Sequence, residues 1–191
     1  MHGPEAVRFA RSCAEKETGA ESAGVPLPES FDAPSGAFVT FRTYPERDLR
    51  GCIGYPYPVM PLKQALAESA RSACHDPRFP VLKKEELGKI TVEVTILTPP
   101  EPVTEKDPQK IIGSIGIGRD GLMIECRGRR GLLLPQVATE QGWDAPEFLQ
   151  WVSAKAGLPP DAWTYPDARL FTFRGTIFSE KSPYGEITGG E

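Results

Sequence analysis

Cys52 lies in the run Asp48-Leu-Arg-Gly-Cys-Ile-Gly-Tyr-Pro-Tyr-Pro58, with glycines at 51 and 54 and an arginine two residues upstream. Side chains two apart on a strand share a face, so Arg50 and Cys52 are expected to point the same way. A neighbouring guanidinium favours thiolate over thiol, and glycines let a ligand or another backbone come close. That chemistry is a reactive or ligand-contacting thiol. A small buried core cysteine beside a glycine-marked bulge also fits the same residue types.

Other groups could serve such a centre. Glu93 sits on the polar face of an apolar strand, where a carboxylate could accept a proton or orient an amine or the Arg50 guanidinium. The plain alternative is a strand residue on a wet sheet face. His75, Asp76 and Arg78 follow a helix, where a turn and cap explain them structurally while Asp76 and Arg78 are also candidate substrate-binding groups. Gln136 follows Pro135 at a helix start, where free backbone donors and a side-chain amide can hold an oxygen. Cys52 and Glu93 are thus the candidate catalytic pair, with Arg50, Asp76, Arg78 and Gln136 as candidate binding groups.

Composition removes several chemistries. The four cysteines are scattered without metal-knuckle spacing, and only two histidines occur in 191 residues, so no metal site is expected. Free thiols are the default. The segment Gly113-Ser-Ile-Gly-Ile-Gly118 lacks the P-loop lysine and full dinucleotide spacing, so its glycines read as hairpin glycines and no cofactor is expected. A net charge of −4 argues against general nucleic-acid binding, although the tip Arg127-Gly-Arg-Arg130 is basic. No apolar run reaches the ~20 residues of a membrane span, and the N-terminus lacks the pattern of a secretion signal, which together point to a cytoplasmic protein.

The elements that position these groups follow from periodicity. A helix is expected from Pro4 to Thr18, then a Gly-, Ser- and Pro-rich strap over 19–35. Gly36 to Tyr44 and Leu49 to Tyr55 read as an antiparallel hairpin, and Pro61 to His75 as a helix with a small-residue stripe. Ile90 to Leu97 alternates strictly, with Ile90, Val92, Val94 and Ile96 on one face. Asp107 to Ile112 reads as a short helix, and Ile115 to Leu134 as a three-strand meander. Helices are expected over Pro135 to Gly142 and Asp144 to Gly157, then a final strand from Arg169 to Phe178. Hairpins dominate, so the fold class is α+β, a mainly antiparallel sheet flanked by helices within a single domain spanning 1–191.

With those residues in view, the chain resembles the AMMECR domain family. Leu49-Arg-Gly-Cys-Ile-Gly54 matches its hallmark hexapeptide, and further matches are Asp76-Pro-Arg-Phe-Pro80, Val92-Glu-Val94, Gly131-Leu-Leu-Leu-Pro-Gln-Val-Ala138, Glu147-Phe-Leu149 and Lys155-Ala-Gly-Leu158. The resemblance implies a two-lobed α+β fold and, for prokaryotic members, association with a radical S-adenosylmethionine protein and a Memo-like protein. It names no reaction. Two classes stand: an enzyme using Cys52 on a small molecule or modified macromolecule, or a non-catalytic module binding a ligand or partner peptide.

Overall fold

A computed structural model describes residues 3–190, so His2 lies outside the described residues. In chain order the elements are α1 (Gly3–Glu17), β1 (Ala37–Thr43), β2 (Leu49–Tyr55), α2 (Leu62–Cys74), β3 (Ile90–Leu97), β4 (Glu101–Pro102) and α3 (Pro108–Ser114). There follow β5 (Gly121–Cys126), β6 (Arg129–Leu133), α4 (Pro135–Gln141), α5 (Ala145–Lys155), β7 (Arg169–Phe173), β8 (Gly175–Glu180) and β9 (Ile187–Gly189). The result is an α+β fold with two sheets and two compact units. One unit runs to Leu97 and resumes at Thr176; the other is Thr98–Gly175.

The first unit holds a five-stranded sheet in the order β2-β1-β3-β8-β9, with β1 antiparallel to both β2 and β3. The alternation of β3 puts Val92 and Val94 beside Val39 and Phe41 of β1, all four fully buried, on the face that α1 and α2 cover. The small residues Ala65, Ala70 and Ala73 bring α2 close. At Gly51 the approach is so tight that an added Cβ would lie 2.5 Å from the Ala73 carbonyl oxygen. Arg11 of α1 ties the layers together: its Nε donates to Glu180 Oε1 at 2.6 Å and its Nη2 to the Ile90 carbonyl at 2.9 Å. Val92 N–H also donates to Glu180, at 3.0 Å.

The second unit holds a four-stranded sheet, β4-β7-β5-β6, with α5 packed on β5 and β6. Its core is Leu122, Ile124, Phe148, Leu149 and Val152 with their neighbours. Asp144 and Glu147 form a reciprocal capping box that fixes where α5 begins. Gly131 is required by packing, since its Cβ would stand 2.6 Å from the Val152 carbonyl oxygen.

Two expectations need correction. Residues 115–120 form no strand, so the expected meander is the single hairpin β5–β6. The Asp120 carboxylate accepts the Gly116 N–H at 2.8 Å and gathers those residues into turns instead. The expected final strand is two strands, because the chain leaves the second sheet after Phe173 and enters the first at Gly175. An unbroken apolar alternation carries no sign of that change of sheet.

Candidate functional site

Register places three residues in one row across the first sheet. Thr40 of β1 is paired with Cys52 of β2 on one side and with Glu93 of β3 on the other. Directly paired residues share a face. Gly51 faces α2, so Cys52, and with it Thr40 and Glu93, points to the opposite face. Thr40 is 5% exposed, and its hydroxyl donates to Cys52 Sγ at 3.1 Å. A donor aimed at sulfur stabilises negative charge that develops there during reaction.

The backbone of Cys52 is held from the other side. β2 is an edge strand, whose outward N–H and C=O would otherwise lack partners. The Cys52 N–H donates to Asp76 Oδ2 at 2.9 Å, and Arg78 Nη2 donates to the Cys52 carbonyl at 3.2 Å. Asp76 also accepts the Arg78 N–H and Nε at 3.0 Å and its Nη2 at 2.7 Å. Two side chains therefore stand in for the missing neighbouring strand. With its backbone groups spent outward, Cys52 forms a non-hydrogen-bonded pair with Thr40, the kind in which facing side chains come closest.

The charge balance of the clamp follows from those bonds. Hydrogen bonds from Arg78 dominate and, with those from the Cys52 and Arg78 N–H groups, hold the Asp76 carboxyl far below the ordinary carboxylate range despite burial. Asp76, with a side chain 1% exposed, is a fixed anion whose acceptors are filled. This is a positioning role.

Arg50 does not follow the expectation that it shares a face with Cys52. The register slips between Phe41 and Arg42, which pair with Gly51 and Leu49, so Arg50 is the extra residue of a β-bulge. Its guanidinium is held by Glu86, Nε to Oε2 at 2.9 Å and Nη2 to Oε1 at 3.0 Å. Arg78 is the cation bonded to the Cys52 backbone. Gly54 has its own packing reason, since an added Cβ would fall 2.2 Å from the Phe38 ring.

Glu93 is mostly covered, with a side chain 14% exposed, and lies 3.5 Å from Arg42 Nε and 3.9 Å from Arg47 Nη2. It shares the row with Cys52, one strand beyond Thr40. Gln136 stands exposed on α4 in the second unit. Sequence reasoning missed Thr40 and Glu86. Alternation within the Gly36 to Tyr44 strand could have flagged Thr40 as a polar residue opposite the hairpin partner; Glu86 carries no local signal. Cys13, Cys74 and Cys126 are buried, whereas Cys52 is partly exposed. Among the described residues no cluster of His, Cys, Asp and Glu is arranged to hold a metal, and no helix is long and apolar enough to cross a membrane.

Known proteins resemble this chain over nearly its whole length. A protein of Methanocaldococcus jannaschii is 48% identical over 187 residues, covering 97% of this chain and 93% of that one. Another, from Methanocella arvoryzae, is 50% identical over 190 residues, covering 97% and 94%. A crystal structure of an uncharacterised protein from Pyrococcus horikoshii superposes with a TM-score of 0.78 at 41% identity, covering 98% of this chain and 96% of its own. The AMMECR1 family matches residues 7–178, nearly the whole of both units, and the chain belongs to that family.

Proposed function

We propose that this AMMECR1-family protein is an enzyme that uses the Cys52 thiol on a small molecule or a modified macromolecule, in a pathway shared with radical S-adenosylmethionine and Memo-like proteins. One observation carries the reading. Within Leu49-Arg-Gly-Cys-Ile-Gly54, packing or pairing accounts for Arg50 (Glu86), Gly51 (Ala73), Ile53 (the core) and Gly54 (Phe38). The Cys52 side chain is left partly exposed, with the Thr40 hydroxyl on its sulfur. Core filling explains the frame and not the thiol.

In this reading Sγ adds to an electrophilic carbonyl carbon, the thiol proton leaves to water, and the carbonyl electron pair moves to oxygen. Thr40 stabilises charge on sulfur, Asp76 and Arg78 fix the strand, and Glu93 orients a polar or cationic part of the substrate. A second reading, a non-catalytic module for a ligand or partner peptide, draws on the kind of group at Sγ: its hydrogen-bond partner is a donor hydroxyl, not a base.

Iodoacetamide labelling of the native protein, read by peptide mass, tests the thiol. Cys52 is expected to react first, and a rate no greater than that of Cys13 would sink the proposal. Purification with the proposed partners, comparing wild type with Cys52→Ser, separates the two readings. A covalent adduct on Cys52 supports the enzyme, and a bound molecule that survives Cys52→Ser supports the module.

A further inference from the structure

The glycine-rich stretch Gly113-Ser-Ile-Gly-Ile-Gly118 belongs to a different feature, in the second unit. A cleft of about 460 Å³ is lined by Arg119, Asp120 and Arg174, with Thr172, Thr104 and Glu101 among its other walls. Asp120 lies at its base with a side chain 5% exposed. It binds two guanidinium groups at once: Arg119 through Nε at 2.9 Å and Nη2 at 2.5 Å, and Arg174 through Nε at 3.2 Å. The Gly116 N–H completes its shell. The Arg119 guanidinium lies across Gly116, 2.7 Å from where an added Cβ would sit.

The remaining donors matter most. Among the described residues, Arg119 spends Nε and Nη2 on Asp120 and Ser114, and Arg174 spends Nε on Asp120, so the other terminal nitrogens keep their N–H groups for a ligand. One buried carboxylate thus orients two cations beside a cavity and leaves them jointly in excess by one positive charge. Such preorganised forks suit planar or tetrahedral oxyanions. Burial alone would raise the Asp120 carboxyl, but the bonds from Arg119, Gly116 and Arg174 outweigh it and hold the group below its ordinary range. The scaffold stays anionic at neutral pH. Glu101 and Glu105 line the same cleft and disfavour a polyanion, which points to a ligand presenting a single oxyanion. Glu105 is engaged by the backbone N–H groups of Lys106 and Asp107.

We propose that this cleft binds a small molecule through one carboxylate or phosphate group, gripped by Arg119 and Arg174 on the Asp120 scaffold. The test uses the full chain and two probes, inorganic phosphate and acetate, each titrated at constant ionic strength with chloride. Arginine Nε–Hε resonances report the site. Saturable shifts of Arg119 and Arg174 are expected with at least one probe, and the arm that saturates identifies the oxyanion. Arg174→Gln should weaken that affinity at least tenfold, while Arg169→Gln, on a different surface of the same unit, should not change it. Should Arg174→Gln disturb the amide spectrum, Arg119→Gln carries the test, since Arg119 is exposed. Shifts that grow linearly with both ions, or an affinity unchanged by these cleft variants, overturn the proposal.

Discussion

Burial separates the thiols more sharply than their spacing does. Desolvation, reinforced by Glu17, pushes the Cys74 thiol up to about 12, and burial likewise raises Cys13. At pH 8 a thiol of that kind is ionised on the order of one part in ten thousand, which makes it a poor nucleophile. Labelling at pH 8 should therefore mark Cys52 before Cys74 by a wide margin, and urea should abolish the difference. Equal rates in the native protein would mean that Cys52 is shielded. Asp76 gives the second prediction at this scale. Its carboxyl is depressed in the folded state, so its contribution is fully present above the unfolded value of about 4 and is lost as pH falls through the folded value. Asp76→Asn should cost about 1.5–3 kcal/mol at pH 7, the scale of hydrogen bonds to a charged group. The gap from wild type in urea midpoint should begin to narrow below about pH 4 and still be narrowing at pH 2. A gap independent of pH would deny the charge a role.

Elements differ in how much of themselves the sequence discloses. The alternation Ile90, Val92, Val94, Ile96 reveals β3 because each apolar residue meets the helix-covered face, and Pro61 followed by a small-residue stripe reveals α2. The β-bulge at Arg50 is invisible locally, since an inserted residue changes facing without changing composition. Asp76 and Arg78 look like a helix-ending turn, and they are one; their hold on Cys52 depends on a contact 24 residues away in the chain. The break at Arg174 is hidden for the related reason that both flanking strands are apolar. Gly51 links sequence to element directly. Gly51→Ala would press a methyl against the Ala73 carbonyl, which is backbone and cannot swing aside. Overpacking of that kind costs about 1–3 kcal/mol, and each kcal/mol lowers Tm by about 2–4 °C in a chain of this length. A shift below 1 °C would show that α2 yields more readily than its packing implies.

At the scale of the molecule, the first unit is discontinuous. It needs the returning strand β8 to complete its sheet and to deliver Glu180 to Arg11, and both side chains are at most 5% exposed. That carboxylate also receives Val92 N–H, while the guanidinium also donates to the Leu87 and Ile90 carbonyls. Removing one member of a buried pair leaves an uncompensated charge, at a cost of about 3–5 kcal/mol. Glu180→Ala strands the cation and a backbone donor together, so the upper part of that range is expected. The second unit is one continuous segment, Thr98–Gly175, with its own cluster around Phe148, Leu149 and Val152. Hydrogen exchange on Glu180→Ala should therefore show protection falling in α1, β3 and β8 while β5, β7 and α5 keep theirs. If protection falls in step across all six elements, the two cores form one cooperative unit, and the buried pair governs the stability of the whole chain.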